Sequence, residues 1–264
     1  MCIMTGMSFF DWRSVIDNKF IGLENFKELM EDRIFKTALL NNIKIILICL
    51  VGQVGLGFIV SLLINSKVLR FAKVHRVAIF LPVILSTVVV GFMWSIVYNN
   101  DFGIINAFLR AVGREELARS WLDNSEQVVF LLAISLIWQY IGYNMVIFLA
   151  GLQGIAAEVL ESAAIDGANA LQRARYITMP LMKNTFFVVI MLCISGNMKI
   201  FDHIYIMTNG GPGSSSMVLA LYAYKMSFGA SRFGYANAVS VSILVVSLIL
   251  IVGLKLVLKE EKNE

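Results

Sequence analysis

Polar side chains that interrupt long apolar runs are the residues of this sequence best placed to do chemistry. One such run contains an amide, an ammonium group and a carboxylate, and another contains a tyrosine next to an asparagine. Because a polar group is costly to bury in hydrocarbon, it usually has a function or a partner there. We predict that five of these residues contact a substrate: Tyr143, Asn144, Asn197, Lys199 and Asp202.

Each of these residues also has a purely structural interpretation. Lys199 and Asp202 are three positions apart, so on one helix face they can neutralise each other as an ion pair. Tyr143 and Asn144 offer a ring and an amide, which suit a sugar but also suit packing between helices. Both interpretations stay open at this point.

No combination of residues predicts catalysis or a metal site. Ser195 and His203 are eight residues apart, about 12 Å along a helix axis, which is too far for a catalytic dyad. Cys2, Cys49 and Cys193 form no CxxC pair. The patterns GxSxG and GxxxxGK[ST] are absent, so we expect neither an intramembrane serine protease nor a bound ATP or other cofactor.

The composition indicates which elements position these residues. Of 264 residues, 58% are hydrophobic and 15% are charged, and the mean hydropathy is +0.77. Soluble domains have roughly 45–50% apolar and about 25% charged residues. A helix needs about 20 apolar residues to cross the hydrocarbon core. We predict an all-α membrane helical bundle, one domain over residues 1–264, with five transmembrane helices over 45–64, 77–98, 128–152, 185–207 and 235–258.

Charge in the connecting segments predicts the orientation of the bundle. The segment 65–76 contains Lys67, Arg70, Lys73 and Arg76 and no acid, so we expect it in the cytoplasm. Alternation then makes the loop after the third span and the C-terminus cytoplasmic. The segments expected outside are 1–41, 99–127 and 208–234.

The first outer segment has 41 residues, including a possible amphipathic stretch from Leu23 to Leu40, and no signal peptide. We therefore expect one more helix before Met1. The net charge is only +4, and no basic block is interleaved with aromatic residues, which argues against nucleic acid as a partner.

The loop 153–184 is polar, rich in alanine and prone to form helices. Residues 156–165 favour a short helix, Gly167 suits a left-handed helix stop, and Asn169 can cap a second helix. Pro180 then suits the entry into the fourth span. The loop therefore predicts a helix-turn-helix that presents a tight corner to a cytoplasmic partner, although a solvated connector remains the alternative.

This loop, ESAAIDGANALQRARYITMPL, resembles the EAA motif of ABC-importer permeases. Further segments resemble the carbohydrate-uptake subgroup of the maltose and glycerol-phosphate type, and together they extend over nearly the whole chain. They are FFDW at 9–12, FIGLENFKEL at 20–29, LAGLQGI at 149–155, FDHIYIMTNGGPGSSS at 201–216 and FGYANAVSV at 233–241.

The resemblance implies that the chain is a transport subunit rather than an enzyme. Its implied partners are a second, homologous permease, a cytoplasmic ATPase dimer that binds ATP and Mg²⁺, an extracellular solute-binding protein and membrane lipid. It also implies a sugar-contacting amide near Asn197, a place for Tyr143 on the translocation path, and a first span before Met1. The implied ATPase-coupling residues are Glu161, Ala163, Ala164, Asp166, Gly167, Ile177 and Pro180.

The sequence departs from the family pattern at three positions of the loop. Ser162 replaces the usual alanine, and Leu171 and Ala174 replace aromatic residues that are common between the corner and Pro180. The rival interpretation is an ion-coupled secondary transporter. Five spans give no even repeat for it, and Asp202 is the only acid inside a predicted span.

Overall fold

The computed structural model describes residues 2–13, 18–66 and 69–260, so Lys67 and the last four residues of the C-terminal tail lie outside the described residues. A short antiparallel pair of strands, Phe10–Trp12 and Asn18–Phe20, is the sheet of this part of the chain. The remaining regular structure is helical. The α-helices, some with a π-helical turn, are Cys2–Met7, Glu24–Glu31, Arg33–Asn65, Ala72–Ile84, Thr87–Val97, Ile104–Ala111, Val128–Gln153, Ala157–Ile165, Ala170–Leu181, Lys183–Met198, Asp202–Met207, Leu219–Tyr224 and Phe233–Glu260.

Among the described residues, three helices are long and apolar enough to cross a membrane: Arg33–Asn65, Val128–Gln153 and Phe233–Leu256. Two bent pairs of helices raise this number to five if each pair is one span. The predicted helical membrane bundle is therefore confirmed, with five spans as the upper count. The predicted third and fifth spans agree with the observed helices to within two residues at each end.

The first span begins earlier than predicted. Its helix starts at Arg33 rather than Ile45, because Asn41 and Asn42 continue the helix instead of ending it. The amphipathic stretch predicted from Leu23 to Leu40 is divided at Asp32. The carboxylate of Asp32 accepts hydrogen bonds from the backbone N–H groups of Ile34 (2.7 Å) and Phe35 (3.2 Å), which are otherwise unpaired at a helix start.

The second and fourth predicted spans are not continuous helices. The second bends by 98° between Ala72–Ile84 and Thr87–Val97. The helix of the fourth stops at Met198, and a separate helix, Asp202–Met207, follows. An apolar run predicts a segment that can lie in the membrane, but it does not predict where the helix within that segment breaks and the chain changes direction.

The chain divides into two compact units. The first consists of residues 1–48, 86–136 and 194–252, and the second consists of residues 49–85, 137–193 and 253–264. Several long helices pass from one unit into the other along the chain. The division does not test the expectation of a single permease domain, which stays a prediction.

Buried asparagines organise the core of the first unit. The amide nitrogen of Asn41 donates to the carbonyl oxygens of Ser215 (2.8 Å) and Met217 (2.9 Å). The Asn42 side chain donates to the Asn197 carbonyl (2.9 Å) and accepts from the backbone N–H of Leu219 (2.9 Å). These bonds pair backbone groups where the chain leaves regular helix, as the burial of such groups requires.

In the second unit, aromatic rings and close backbone contacts form the core. The ring centroids of Phe58, Phe148 and Phe186 lie 4.7–5.4 Å apart. A Cβ atom added to Gly142 would lie 2.2 Å from the carbonyl oxygen of Ile79. Only glycine therefore permits these two helices to approach so closely.

Candidate coupling loop and substrate path

The first helix of the loop, Ala157–Ile165, ends in a glycine turn. Gly167 has a φ of +84°, which favours glycine. Its N–H donates to the Ala164 carbonyl (3.2 Å), and the N–H of Ala168 donates to the Ala163 carbonyl (3.0 Å). This is the Schellman arrangement of a helix C-terminus, and it confirms the predicted stop at Gly167.

The second helix of the loop begins immediately after this turn. The side chain of Asn169 accepts from the N–H of Gln172 (2.9 Å), and the side chain of Gln172 accepts from the N–H of Asn169 (2.8 Å). This reciprocal pair is a capping box, so the predicted cap at Asn169 is confirmed. The helix continues to Leu181 with Pro180 in its last turn, and the chain then bends by 78° into Lys183–Met198.

Apolar side chains are exposed around this corner. Ile165, Leu171 and Tyr176 are 85%, 77% and 70% exposed. A group of exposed apolar side chains is a candidate interaction surface. We call these three residues the apolar corner. No sequence motif assigns Ile165 or Tyr176 a role, although Tyr176 directly precedes Ile177 of the motif and supplies an aromatic ring near the expected position.

The predicted coupling residues surround the apolar corner. Ala163 is buried and Ile177 is half-buried, whereas Glu161, Ala164, Asp166, Gly167 and Pro180 are exposed. A shallow hollow of about 340 Å³ lies between the turn and the second helix. Its lining brings together three of the predicted residues and three others: Asp166, Gly167, Ile177, Ala168, Gln172 and Tyr176.

Three of the five predicted substrate-path residues belong to the first unit. Asn197 is buried, and its carbonyl is held by Asn42. The carboxylate of Asp202 accepts a hydrogen bond from the Thr87 hydroxyl (2.8 Å). The expectation that Lys199 and Asp202 share one helix face is wrong, because the helix stops at Met198 and Asp202 starts the next one.

The other two predicted substrate-path residues belong to the second unit. Tyr143 is 40% exposed, whereas Asn144 is buried with its Cβ close to Gly57. The nearby amide of Gln139 donates to the Leu85 carbonyl (3.1 Å) at the bend of the second span. The path through these residues stays a prediction.

A further cluster of polar side chains is not indicated by any sequence motif. We call it the Asp32 cluster, and it consists of Glu28, Asp32, Tyr222, Arg232 and Tyr235. The hydroxyls of Tyr222 and Tyr235 both donate to the Asp32 carboxylate, the second at 2.6 Å. Arg232 forms a two-pronged ion pair with Glu28 at 2.7 and 2.5 Å. No sequence pattern predicts these contacts, which join residues about 190–204 positions apart.

Electrostatics in the Asp32 cluster follow from these bonds. Burial raises the pKa of the Asp32 carboxyl, but hydrogen bonds from Tyr222, Tyr235 and two backbone N–H groups outweigh it and leave the pKa below its usual value. Hydrogen bonding to Glu28 raises the pKa of Arg232. The cluster therefore holds the Asp32 carboxylate and the Arg232 guanidinium in their charged forms.

Comparison with known proteins gives consistent results over nearly the whole chain. Residues 45–259 match the family described as the binding-protein-dependent transport system inner membrane component. The probable ABC transporter permease protein YurN of Bacillus subtilis (strain 168) is 36% identical over 247 residues, which are 92% of this chain and 84% of that protein.

Two further similarities concern sugar transport and fold. The multiple sugar-binding transport system permease protein MsmF of Streptococcus mutans serotype c is 30% identical over 256 residues, covering 96% of this chain and 87% of that protein. The crystal structure of a bacterial ABC transporter involved in the import of the acidic polysaccharide alginate superposes with a TM-score of 0.85. The superposition covers 98% of this chain and 89% of the chain in that structure, at 21% sequence identity, which shows that the two share a fold.

Proposed function

The chain belongs to the family of inner membrane components of binding-protein-dependent transport systems, and we propose that it forms half of the translocation path for a sugar or oligosaccharide. As a member of this family it is a multi-pass membrane permease of an ABC importer, a transport component rather than an enzyme. The proposal of a saccharide cargo is supported by relatives such as MsmF, whose name describes sugar transport.

The apolar corner is the observation that carries the coupling part of the proposal. Ile165, Leu171 and Tyr176 are all more than two-thirds exposed, and burial of one such side chain stabilises a contact by about 2 kcal/mol. We infer that the corner docks into a cleft of a cytoplasmic ATPase subunit. ATP and Mg²⁺ would be bound by that ATPase and not by this chain.

The rigid construction of the loop supports such a role. The Schellman turn at Gly167 and the capping box at Asn169 fix both helices by bonds within the loop. A movement of the docked corner would therefore be passed to the helix Lys183–Met198 beyond the bend, rather than absorbed by a flexible connector. Closure of the ATPase dimer would in this way switch the bundle between inward- and outward-facing states.

The complete importer would contain a second, homologous permease and an extracellular solute-binding protein. Little of the most apolar stretch of the helix Phe233–Leu256 is fully buried among the described residues, and such a surface suits membrane lipid or the second permease. In the proposed orientation the C-terminus and the coupling loop lie on the cytoplasmic side. The substrate would pass residues Tyr143, Asn144, Asn197, Lys199 and Asp202.

The decisive experiment measures ATPase retention and sugar uptake together. Ile165→Asp and Glu161→Lys should reduce co-purification of the ATPase with tagged permease and uptake into vesicles by about tenfold or more, because a charge is placed in, or reversed beside, an apolar contact. Phe108→Asp is a matched control, since Phe108 is 65% exposed on a helix outside the loop. The control should retain the ATPase.

Two results would contradict the proposal. Normal ATPase retention and normal uptake in both loop variants would remove the coupling role. A wild-type importer that takes up no saccharide, while its cognate binding protein captures another class of solute in a ligand screen, would remove the proposed cargo.

A further inference from the structure

An unbroken series of aromatic side chains crosses the first unit. Ring centroids lie 5.2 Å apart between Tyr205 and Phe201, 5.3 Å between Phe201 and Tyr224, and 5.1 Å between Tyr224 and Phe228. Phe228 then approaches Phe233 at 6.5 Å, and Phe233 approaches Trp12 at 5.4 Å. None of these residues was expected to contact substrate.

Most of these rings line one cavity of about 680 Å³, which we call the aromatic cleft. Its size is within the roughly 300–1,000 Å³ typical of small-molecule sites. Its walls come from the strand containing Trp12, the helix break at residues 199–201, the helix Leu219–Tyr224 with the turn that follows it, and the start of the last helix. The lining residues are Met7, Trp12, Phe201, Ala220, Ala223, Tyr224, Ser227, Phe228, Phe233, Asn237 and Ser240.

The polar groups of the aromatic cleft are neutral. They are the Ser227 and Ser240 hydroxyls, the Asn237 amide and the Tyr224 hydroxyl. Within the described residues, the side chains of Ser227 and Asn237 form no hydrogen bond to protein, so their donors and acceptors are available. A hydrocarbon chain in the cleft would leave these groups without partners, which is costly when water is displaced.

Two cationic side chains near the aromatic cleft are already engaged. Both terminal nitrogens of Arg232 bind Glu28, and the ammonium of Lys225 donates to the Asn209 carbonyl (2.8 Å). No charged side chain is among the described residues that line the cleft. These lining residues therefore offer no cation with which to hold an acidic ligand.

We propose that the aromatic cleft is a binding subsite for a pyranose ring of an uncharged saccharide. Aromatic faces carry negative charge density and attract the C–H faces of a sugar ring, while the amide and hydroxyls bind its OH groups. The inference rests on the proposed function and narrows it to neutral saccharides. The subsite is additional to the predicted path, because none of the five path residues lines the cleft.

Trp12 provides a direct reporter of occupancy. We would reconstitute the complete importer without its binding protein in nanodiscs and titrate it with maltotriose, galactotriose, arabinotriose and trigalacturonate. The signal specific to the cleft is the fluorescence change that disappears in Trp12→Phe. Uptake of the same four compounds, measured with the binding protein in vesicles, identifies the transported one.

The transported neutral saccharide should change Trp12 fluorescence in a saturable way, and trigalacturonate should not. Asn237→Leu and Tyr224→Ala should each weaken this binding about tenfold. Phe130→Ala, a control at a ring 53% exposed outside the cleft, should bind as the wild type does. Co-purification of the ATPase with each variant shows that it has folded, and Ser227→Ala is a milder variant if Asn237→Leu does not assemble.

The outcomes separate the subsite from the function. Uptake of a neutral saccharide without any Trp12 response, or with unchanged affinity in the assembled cleft variants, overturns the subsite and leaves the importer intact. A response to trigalacturonate equal to that of the neutral compounds overturns the restriction to uncharged ligands. If wild type takes up no saccharide of any kind, the proposed function fails and the subsite falls with it.

Discussion

The coupling loop and the asparagine pair Asn41–Asn42 both satisfy backbone groups at helix ends, but over different distances along the chain. In the loop, Gly167 and Asn169 are bonded to residues three or four positions away. Asn41 and Asn42 bond to groups 155–177 positions away. The loop can therefore keep its shape while it moves, whereas the asparagines hold three remote segments of the first unit together.

The largest effect should come from Asn42→Ala. Asn42 is completely buried, and its removal takes away its bonds to the Asn197 carbonyl and to the Leu219 N–H. We expect a loss of about 3 kcal/mol in the free energy of unfolding, since buried polar groups are costly when unpaired. Chemical unfolding in detergent micelles would measure it. Asn184→Ala, at an exposed position, is the matched control, and an equal loss there would refute the comparison.

Tyr235→Phe tests a second remote contact, in the Asp32 cluster. Loss of a hydrogen bond to a carboxylate should cost about 2 kcal/mol at neutral pH. The folded-state pKa of Asp32 is below its ordinary value of 3.8, so this stabilisation is present above pH 3.8 and is lost as the pH falls through the folded pKa.

The pH dependence provides the check on that prediction. The difference in unfolding free energy between wild type and Tyr235→Phe should be largest near neutral pH and should shrink in acid. A difference that is constant with pH would show that the tyrosine hydroxyl acts through packing and not through the Asp32 carboxylate.

A smaller loss is expected for Asn169→Ala in the coupling loop. Removal of an N-cap side chain costs about 1 kcal/mol, and the exposed loop contributes little to the global fold. Hydrogen exchange should show faster opening of residues 170–173 with nearly unchanged protection elsewhere. Asn169→Ser, which keeps a capping oxygen, should restore most of the protection, and a loss that spreads through the second unit would argue against a self-contained loop.

The smallest effect is expected for Glu28→Gln. The Glu28–Arg232 pair is remote in sequence but half-exposed, with side-chain exposures of 49% and 31%. Exposed ion pairs contribute only about 0–1 kcal/mol and are screened by salt. Unfolding at low and high ionic strength should show the difference from wild type only at low salt. A salt-independent loss as large as that of Asn42→Ala would show that sequence distance alone, without burial, sets the effect.

Local features of this protein were predictable because their causes are local. The stop at Gly167 and the cap at Asn169 depend on the conformational freedom of glycine and on a side chain three residues from its partner. The third and fifth spans are uninterrupted apolar segments, so composition alone located them. The coupling role of the loop came from a resemblance to a family and stays a prediction.

Other features could not be read from one stretch of sequence. The helix break at residues 199–201, which separates Lys199 from Asp202, lies inside a run whose hydropathy suggests one span. Asn42 was predicted to lie before the first span, because a polar residue is not expected inside a span. The groups that pair with its amide are more than 150 positions away and are not visible in the local sequence. The exposure of Tyr176 depends on how the loop helices pack, which no spacing rule specifies.

The sequence by itself determined that the chain is a helical membrane protein, where its apolar segments lie, and that one loop forms two helices joined by a tight corner, because hydropathy, turn chemistry and capping act over a few residues. Only the tertiary structure decided which polar residues meet. It placed Asp32 against two tyrosines, engaged Arg232 with Glu28, and gathered aromatic rings from four segments around an uncharged cleft. Such contacts join residues that are far apart in the chain. Which pairing is favoured depends on the free energy of packing of the whole molecule, and not on any one stretch of sequence.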